Sequence, residues 1–319
     1  MGLSTSLANA LTGLTAASRR AEVVSSNVSN ALTPGYARRE VNLSSQSLGG
    51  NGAGVRIDGV TRSVNQSILN DRRLADAGAG NAGSRASFLT MIEKSIGQPG
   101  TAGALTDQIA ALDAALVQAA SRPDSQARLQ SVLTTASDLA GTLCGLTDTL
   151  QQARMDADDK ITTLVDDLNR TLVQIDELNS SILAQRSSGR DATALMDQRQ
   201  TLVDRISKIV PLREVARDHD QIALYTTGGA ILLEGNPVTI GFSPVGVITA
   251  DMTLVSGALL GLTINGLQVA AGDGGVLGGG TLGAQFAIRV GIRDQQKSQV
   301  AAHRVTLLER LAILAGRFT

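Results

Sequence analysis

The sequence predicts an α+β protein that is predominantly α: a long coiled-coil-like helical bundle with an inserted antiparallel β domain and an N-terminal assembly helix. Apolar residues recur every three to four positions through most of residues 1–36 and 63–210, which is the spacing of a helix seam. Between residues 211 and 271, short apolar runs alternate with Gly, Pro and Asn turns, as in β-hairpins. A helical pattern then returns after a glycine-rich stretch.

The composition argues against several functional classes. Hydrophobic residues make up 43% of the 319 residues, enough for a core, but only 2% are aromatic, so large aromatic-lined substrate pockets are not expected. A formal net charge of −1 argues against a nucleic-acid partner. No apolar run is long enough for membrane insertion, and no cleaved secretory signal is recognisable. The single cysteine, Cys144, lies within a helical pattern and is expected in the core.

The first predicted element, residues 1–36, is a helix made to lie along another helix. Its seam consists of small and apolar residues in alternating steps of four and three, namely Leu3, Leu7, Ala10, Leu14, Ala17, Ala21, Val24, Val28 and Ala31. No other segment of the chain is a clear partner for this seam. We therefore expect its partner outside these 319 residues, in neighbouring subunits and in a further C-terminal helix.

The end of this helix carries the polar residues of interest. Pro34 disfavours helical geometry at Thr33, and Gly35 supplies a permissive backbone for a turn before Tyr36. Asn27 and Asn30 are three residues apart and lie on nearly one face. Their amides are either contacts with a partner or part of a soft helix end that competes for backbone hydrogen bonds.

A short β connector of two strands is predicted at 37–62, followed by a helical rod or bundle at 63–210. The glycine-rich stretch at 75–83 is either a loose helical segment or a break. The helix that opens after Asp124 carries a seam from Leu129 to Ile182, and its predicted length is roughly 90 Å at about 1.5 Å per residue. A further helix, with the sequence ATALMDQRQTLVDRIS, is stopped by Pro211.

The rest of the chain is predicted as a β domain at 211–271 and a glycine-rich hinge with a returning helix of the bundle at 272–319. Gly278, Gly280 and Gly283 match the G-x-G-x-x-G pattern of nucleotide-binding turns. The preceding segment is predicted as antiparallel hairpins and no βαβ series is present, so we do not expect a nucleotide cofactor.

No other pattern indicates chemistry. His219 lies between Asp218 and Asp220 in a predicted hairpin turn, and no ligand-like spacing indicates a metal site. The paired aspartates at 158–159 and 166–167 are expected on the outer face of the long helix. No serine lies in a nucleophile-elbow pattern. We therefore expect no catalytic residue, no cofactor and no metal, and hence no enzyme.

The segment SSNVSNALTPGY resembles the SNNIANANTPGY signature of the bacterial flagellar axial family, which includes rod, hook and hook-associated proteins. The matching residues are Ser25, Asn27, Asn30, Ala31, Thr33, Pro34, Gly35 and Tyr36, with Val28 as a conservative equivalent. Ser26, Ser29 and Leu32 depart from it. The segments at 121–140, 192–207 and 279–294 look like those of hook-associated members at the hook-filament junction.

The resemblance implies a structural subunit of the bacterial flagellum at this junction, exported by the flagellar type III apparatus and therefore extracellular. The implied partners are the hook protein, the second junction protein, further copies of this chain in a helical axial layer, the export apparatus and, as a further candidate, an export chaperone. The expected assembly contacts are Leu3, Leu7, Leu14, Val24, Asn27, Val28, Asn30, Thr33, Pro34, Gly35 and Tyr36.

Two alternatives stay open. A distal rod or hook component would require residues 125–182 to be rich in β structure, which their pattern opposes. A cytoplasmic coiled-coil scaffold module would use the N-terminal helix to pair in trans. Members of the axial family close with a second terminal helix, and nothing like its usual sequence occurs before Thr319, so we expect the chain to be a fragment.

Overall fold

The structure is a computed structural model, and it describes residues 2–48, 51–254, 256–270, 272 and 274–291. The helices in these ranges are α1 Leu3–Ser29, α2 Gln66–Ile96, α3 Leu105–Ser121, α4 Gln126–Ser187, α5 Thr193–Ile209 and α6 Thr281–Val290. The strands are β1 Arg39–Leu48, β2 Asn51–Arg62, β3 Leu212–Ala216, β4 Ile222–Thr226, β5 Ile231–Glu234, β6 Asn236–Pro237, β7 Ile240–Phe242, β8 Leu262–Ile264 and β9 Leu267–Val269. The predicted fold class, α+β and predominantly α, is confirmed.

The chain divides into two compact units. Unit 1 comprises Met1–Ala77 and Asp167–Thr239, and unit 2 comprises Gly78–Asp166 and Ile240–Thr319. Helices α2 and α4 contribute residues to both units. This division differs from the predicted linear series of segments, because each unit is assembled from two stretches that are distant in the sequence.

Unit 1 contains a long antiparallel hairpin, β1 with β2, in which Arg39 lies opposite Arg62. The two strands, ten and twelve residues long, fall within the β connector predicted at 37–62. Unit 1 also contains α5 and a sheet with strand order β3-β4-β5-β6. Its core includes fully buried aliphatic side chains of α4, α5 and this sheet, among them Leu168, Leu172, Ile175, Val203, Ile206, Leu224 and Leu232.

The β segment predicted at 211–271 does consist of antiparallel strands, but these form two sheets in different units. The sheet of β3 to β6 belongs to unit 1, and the three-stranded sheet of β7, β8 and β9 belongs to unit 2. The turn between β3 and β4 contains His219 at a φ of 57°, exposed, as expected for a hairpin turn.

Three further predictions about the helices can be compared with the structure. The glycine-rich stretch at 75–83 is continuous helix within α2. Cys144 is exposed on α4, so the expectation of a buried thiol was wrong. Most of the seam of α4 from Ala153 to Ile182 is buried, whereas Leu129 and Leu143 are about half exposed, so Cys144 lies in the less covered part of the helix. The expected returning helix beyond Gly291 lies outside the described residues.

Unit 2 contains a buried ion pair that corrects the sequence prediction. Asp158 was expected in solvent on the outer face of α4, yet it is 1% exposed and pairs with the fully buried Arg289 of α6. Successive helix residues point about 100° apart, so one member of an adjacent pair can face the core while the other faces outward. Asp158 lies about 60° around the helix from the buried Ile161, whereas Asp159 is exposed.

The surroundings of Arg289 explain why a cation is tolerated there. Its guanidinium lies 4.9 Å from the ring centroid of Phe242 and donates a hydrogen bond to the carbonyl of Leu260 at 2.7 Å. Asp158 also accepts the backbone N–H of Val245 at 2.7 Å. Burial lowers the pKa of Arg289 by removing water from the guanidinium, and the Asp158 carboxylate opposes that shift.

Replacing Asp158 with Ala should destabilise unit 2. The change leaves Arg289 buried without a counter-charge, which costs about 3–5 kcal/mol in comparable buried pairs. We expect faster amide hydrogen exchange in α6, measured by mass spectrometry. The matched control is Asp159→Ala, which removes the same charge from the adjacent exposed position and should change stability by no more than about 0.5 kcal/mol. Equal exchange in the two variants would contradict a stabilising role for the pair.

Candidate assembly surface on the N-terminal helix

The predicted seam of α1 is exposed. Leu3, Leu7, Leu14, Val24 and Val28 are the large apolar members, and each has well over half of its surface accessible, with Leu3 at 93%. The seam spacing missed one further member, because Leu11 is 63% exposed and lies about 60° around the helix from Leu14. The apolar strip is therefore broader than the sequence pattern alone predicted.

The opposite face of α1 lies on the β1-β2 hairpin. Ala16 and Val23 are the buried residues of the helix. Thr12 accepts a hydrogen bond from the backbone N–H of Val55 at 3.2 Å through Oγ1. Gly54, with a φ of 93°, lies so close to Thr12 that a Cβ at this position would overlap the hydroxyl. The helix thus has a support inside the chain that the sequence pattern did not predict, while its leucine strip stays uncovered by the described residues.

Asn27 joins the end of α1 to the start of the hairpin. Its Nδ2 donates to the carbonyl of Arg39 at 2.9 Å, and its Oδ1 accepts the N–H of the same residue at 2.9 Å. Oδ1 also accepts the hydroxyl proton of Tyr36 at 2.9 Å. The Asn27 side chain therefore bonds both the carbonyl and the N–H of Arg39, as the backbone of a neighbouring strand would. This use within the chain is neither of the two alternatives considered from the sequence.

Asn30 and the turn residues complete a compact helix end. Asn30 donates through Nδ2 to the carbonyl of Ser26 at 2.9 Å, and the hydroxyl of Thr33 donates to Asn30 Oδ1 at 3.3 Å. Gly35 has a φ of 82°, which favours glycine. Pro34 and Thr33 are exposed on the outside of the turn.

The turn rests on α5. A Cβ at Gly35 would overlap the Thr201 hydroxyl, so the backbone of the turn approaches α5 as closely as a glycine allows. One turn earlier on α5, Asp197 accepts the backbone N–H of Ala37 at 3.2 Å through Oδ1. Ala37 is buried at this junction. The two segments that carry the family resemblance, TPGY and ALMDQRQ, are therefore in contact.

Asp197 also binds both strands of the hairpin at its open end. Arg39 donates to Oδ2 at 3.0 Å and Arg62 donates to Oδ1 at 2.8 Å, with all three side chains less than one fifth exposed. Gln200 of α5 accepts a second bond from Arg62 at 2.6 Å. Asp197 entered the sequence prediction only as one residue of a family segment. Its role could not be predicted from the sequence, because it depends on the hairpin returning to α5.

A second set of ion pairs fixes α2 beside α5. The buried Arg73 donates to Asp204 at 2.6 Å and to Glu214 of β3 at 2.7 Å, and Arg72 pairs with Asp204 as well. These residues were not singled out from the sequence, where they resemble ordinary surface charges. Their positions become informative only once α2, α5 and β3 are brought together.

The glycines at 278–283 have packing roles. Gly280 precedes α6 and its carbonyl accepts a hydrogen bond from Asn81 at 2.9 Å. A Cβ at Gly283 would lie 3.2 Å from the Cα of Gly278. Within the described ranges, no group of three or more His, Cys, Asp or Glu side chains could hold a metal ion. None of the helices in those ranges combines the length and apolar character needed to cross a membrane.

Comparison with known protein families identifies the family to which the chain belongs. Residues 89–314 match the family described as "Flagellar hook-associated protein FlgK helical domain". The chain belongs to the FlgK family. Residues 7–36, which contain α1 and the turn, also match the family described as "Flagella basal body rod protein". Both strands of the β1-β2 hairpin lie between the two matched segments.

Curated members of the FlgK family show the same relationship. "Flagellar hook-associated protein 1" of Escherichia coli (strain K12) is 24% identical over 241 residues, covering 73% of this chain and 44% of that protein. The protein of the same name from Bacillus subtilis (strain 168) is 24% identical over 246 residues, covering 73% of this chain and 48% of that protein. The chain therefore spans less than half the length of the curated relatives it matches.

A solved structure supports the fold. The structure titled "The structure of the flagellar hook junction protein FlgK from Burkholderia pseudomallei" matches with a TM-score of 0.57 at 19% identity, over 69% of this chain and 39% of that chain. At this identity the match indicates a shared fold. The predicted membership of the hook-associated proteins is confirmed by the family match.

Gly35→Ala should loosen the junction between the turn and α5. A non-glycine residue at positive φ costs about 1–2 kcal/mol, and the new methyl group would in addition displace Thr201. We expect a loss in free energy of unfolding of about 2–4 kcal/mol, measured by urea denaturation followed through the fluorescence of Tyr36 and Tyr225, both in unit 1.

Gly229→Ala is the matched control, because Gly229 has a φ of 89° and no described residue lies within 4 Å of the position that a new methyl group would take. It should show the backbone cost alone. Adding Thr201→Ala to Gly35→Ala should recover the excess over Gly229→Ala. If Gly35→Ala lowers the free energy of unfolding no more than Gly229→Ala does, the close approach of Gly35 to Thr201 does not contribute to stability.

Proposed function

We propose that this chain is a structural subunit of the bacterial flagellum at the hook-filament junction, and that α1 joins it to neighbouring axial subunits through its exposed seam. The observation that carries the proposal is the division of α1 into two faces. One face is held on the hairpin by Ala16, Val23 and Thr12, and the other presents a strip of leucines to the outside. Membership of the FlgK family and the names of its relatives support this function.

The seam is suited to a helical partner. Its steps of four and three place Leu3, Leu7 and Leu14 along one line, where a second helix can insert its own side chains. Fully burying a side chain of this size contributes about 1.5–3 kcal/mol, so several leucines together favour association strongly. The proposed partners are the hook protein, the second junction protein and further copies of this chain, with the flagellar export apparatus and an export chaperone before assembly. The proposed location is accordingly extracellular.

The signature residues have a different part in this proposal. Asn27 uses its amide within the chain, so its contribution is to fix the direction in which α1 leaves the hairpin. Asn30, Gly35 and Tyr36 shape the same turn. Thr33 and Pro34 are exposed and available to touch a neighbouring subunit.

The proposed function is structural and involves no catalysis, in keeping with a family of structural flagellar proteins. The alternative of a distal rod or hook component is not favoured, because residues 126–187 form the single helix α4 instead of β structure. A cytoplasmic scaffold module is not favoured either, since the family match is to a flagellar protein.

Leu14→Asp should prevent incorporation into the flagellum while leaving the chain folded, because a charge in the seam cannot be buried against a partner helix. The full chain is expressed in its own bacterium, and sheared extracellular flagella are tested for it by immunoblot. We expect a decrease of at least about tenfold, the equivalent of 1.4 kcal/mol. Circular dichroism of the purified variant checks that it is folded.

Thr5→Asp is the matched control. Thr5 is exposed and lies about 180° around the helix from Leu14 and about 120° from Leu11, so the same charge is introduced outside the apolar strip. It should be incorporated normally. The amount of each variant in the culture medium separates failed export from failed assembly. Wild-type incorporation of Leu14→Asp would overturn the proposal that the seam is an assembly surface.

A further inference from the structure

Unit 1 contains a cleft rich in arginine that is separate from α1. It has a volume of about 270 Å³ and lies where the end of β2, the last turns of α4, α5 and strands β3 and β4 meet. The charged groups that line it are Arg62, Arg186, Arg199, Arg217, Glu214 and Asp220. Its apolar lining comes from Val64, Met196 and Ile222. Four arginines and two carboxylates leave a surplus of two positive charges in one small space.

A positive surplus remains when the ion-pair partners behind the cleft are included. Arg62 binds Asp197, which also binds Arg39, and Arg217 binds Glu234. Glu214 is already paired with Arg73, which shares Asp204 with Arg72, and Arg72 also pairs with Asp76. Seven arginines and six carboxylates take part in this network, so one positive charge is left over.

The arginines of the cleft are arranged by depth. Arg186 and Arg217 are at the rim, with side chains 31% and 45% exposed, and each pairs with one exposed carboxylate. Exposed pairs of this kind contribute little to stability, so their carboxylate partners can be exchanged at low cost. Arg186 pairs with Asp220 at 2.6 Å, and Arg217 pairs with Glu234 at 2.6 Å.

Arg199 lies deeper, and its hydrogen-bond acceptors among the described residues are neutral. One of its terminal nitrogens donates to Asn179 Oδ1 and to the carbonyl of Asp220, both at 2.7 Å. Burial lowers the pKa of Arg199 to about 10, with Glu214 and Asp220 opposing and Arg62 adding to the shift. The side chain stays charged at neutral pH, in surroundings where an added anion is favourable.

We propose that this cleft binds the carboxylate side chains of an acidic segment of another protein, held by Arg186 and Arg217 at the rim and by Arg199 below them. Guanidinium groups match carboxylates in planar, two-point geometry. A volume of about 270 Å³ is below the roughly 300–1,000 Å³ of sites for small organic ligands, and it suits one or two side chains. The apolar lining would cover the methylene groups of Glu or the neighbours of Asp.

The proposal is tested by binding of fluorescein-labelled hexaglutamate to the full chain at low ionic strength, measured by fluorescence anisotropy. The double substitution Arg186→Gln with Arg217→Gln should weaken binding by about tenfold or more, since two charge-assisted contacts are lost. The control is Arg190→Gln with Arg205→Gln, which removes the same charge from exposed positions of unit 1 outside the cleft. This control should weaken hexaglutamate binding less than about threefold, because only long-range attraction, which salt screens, is lost.

A second variant keeps the test decisive if the double variant folds poorly. Glu234→Gln removes the exposed carboxylate that occupies Arg217, so it should strengthen hexaglutamate binding. Absence of binding to the wild-type chain, or equal weakening in the two double variants, would overturn the proposal. Displacement of the peptide by inorganic phosphate at comparable concentration would show a site for small anions and would overturn it as well. None of these outcomes bears on the α1 seam, which contributes no residue to the cleft.

Discussion

The carboxylate of Asp197 is the interaction on which the N-terminal half of unit 1 depends. It accepts hydrogen bonds from Arg39, from Arg62 and from the backbone of Ala37. Arg39 and Arg62 are direct cross-strand neighbours at the open end of the hairpin, where two like charges would destabilise the pairing. By neutralising both, Asp197 closes the hairpin and attaches it to α5 in the same contact.

This anchor explains how a helix with little core of its own keeps a fixed direction. Isolated helices are marginal in water, and α1 buries only Ala16 and Val23. The hydrogen bonds of the Asn27 amide connect the end of α1 to the start of β1, and the turn at Gly35 packs against α5. The exposed leucines are thereby presented on a helix whose other side is tied to the unit. The proposed assembly surface therefore lies on a helix whose direction is fixed by contacts within the chain.

The seam of α1, the long helix α4 and the end of α5 before Pro211 could be predicted from the sequence, because each depends on local periodicity or on proline geometry. Long-range pairing could not be predicted. From the sequence, Asp158 and its neighbour Asp159 were both expected in solvent. Only the packing of α6 against α4 brings Arg289 beside Asp158. Cys144 was expected in the core because its seam continues along α4, although the described neighbours leave it exposed.

For the candidate site, the residues could be found in the sequence but their contacts could not. Asn27 and Asn30 were recognised as the unusual polar positions, yet the partner of Asn27 is a backbone twelve residues away, reached through a turn whose geometry no pattern specifies. Asp197 and Arg62 are more than a hundred positions apart in the chain. The role of the family segment around Asp197 therefore became clear only from the fold.

Amide hydrogen exchange in an Asp197→Ala variant tests the anchoring of the N-terminal helix most directly. If Asp197 holds the hairpin and α1 on α5, exchange should become faster together in α1 and in residues 39–45 and 55–62, while the buried part of α4 stays protected. Gln198→Ala, at the exposed neighbouring position, should leave exchange unchanged. Wild-type protection of the hairpin and α1 in Asp197→Ala would contradict the anchoring role.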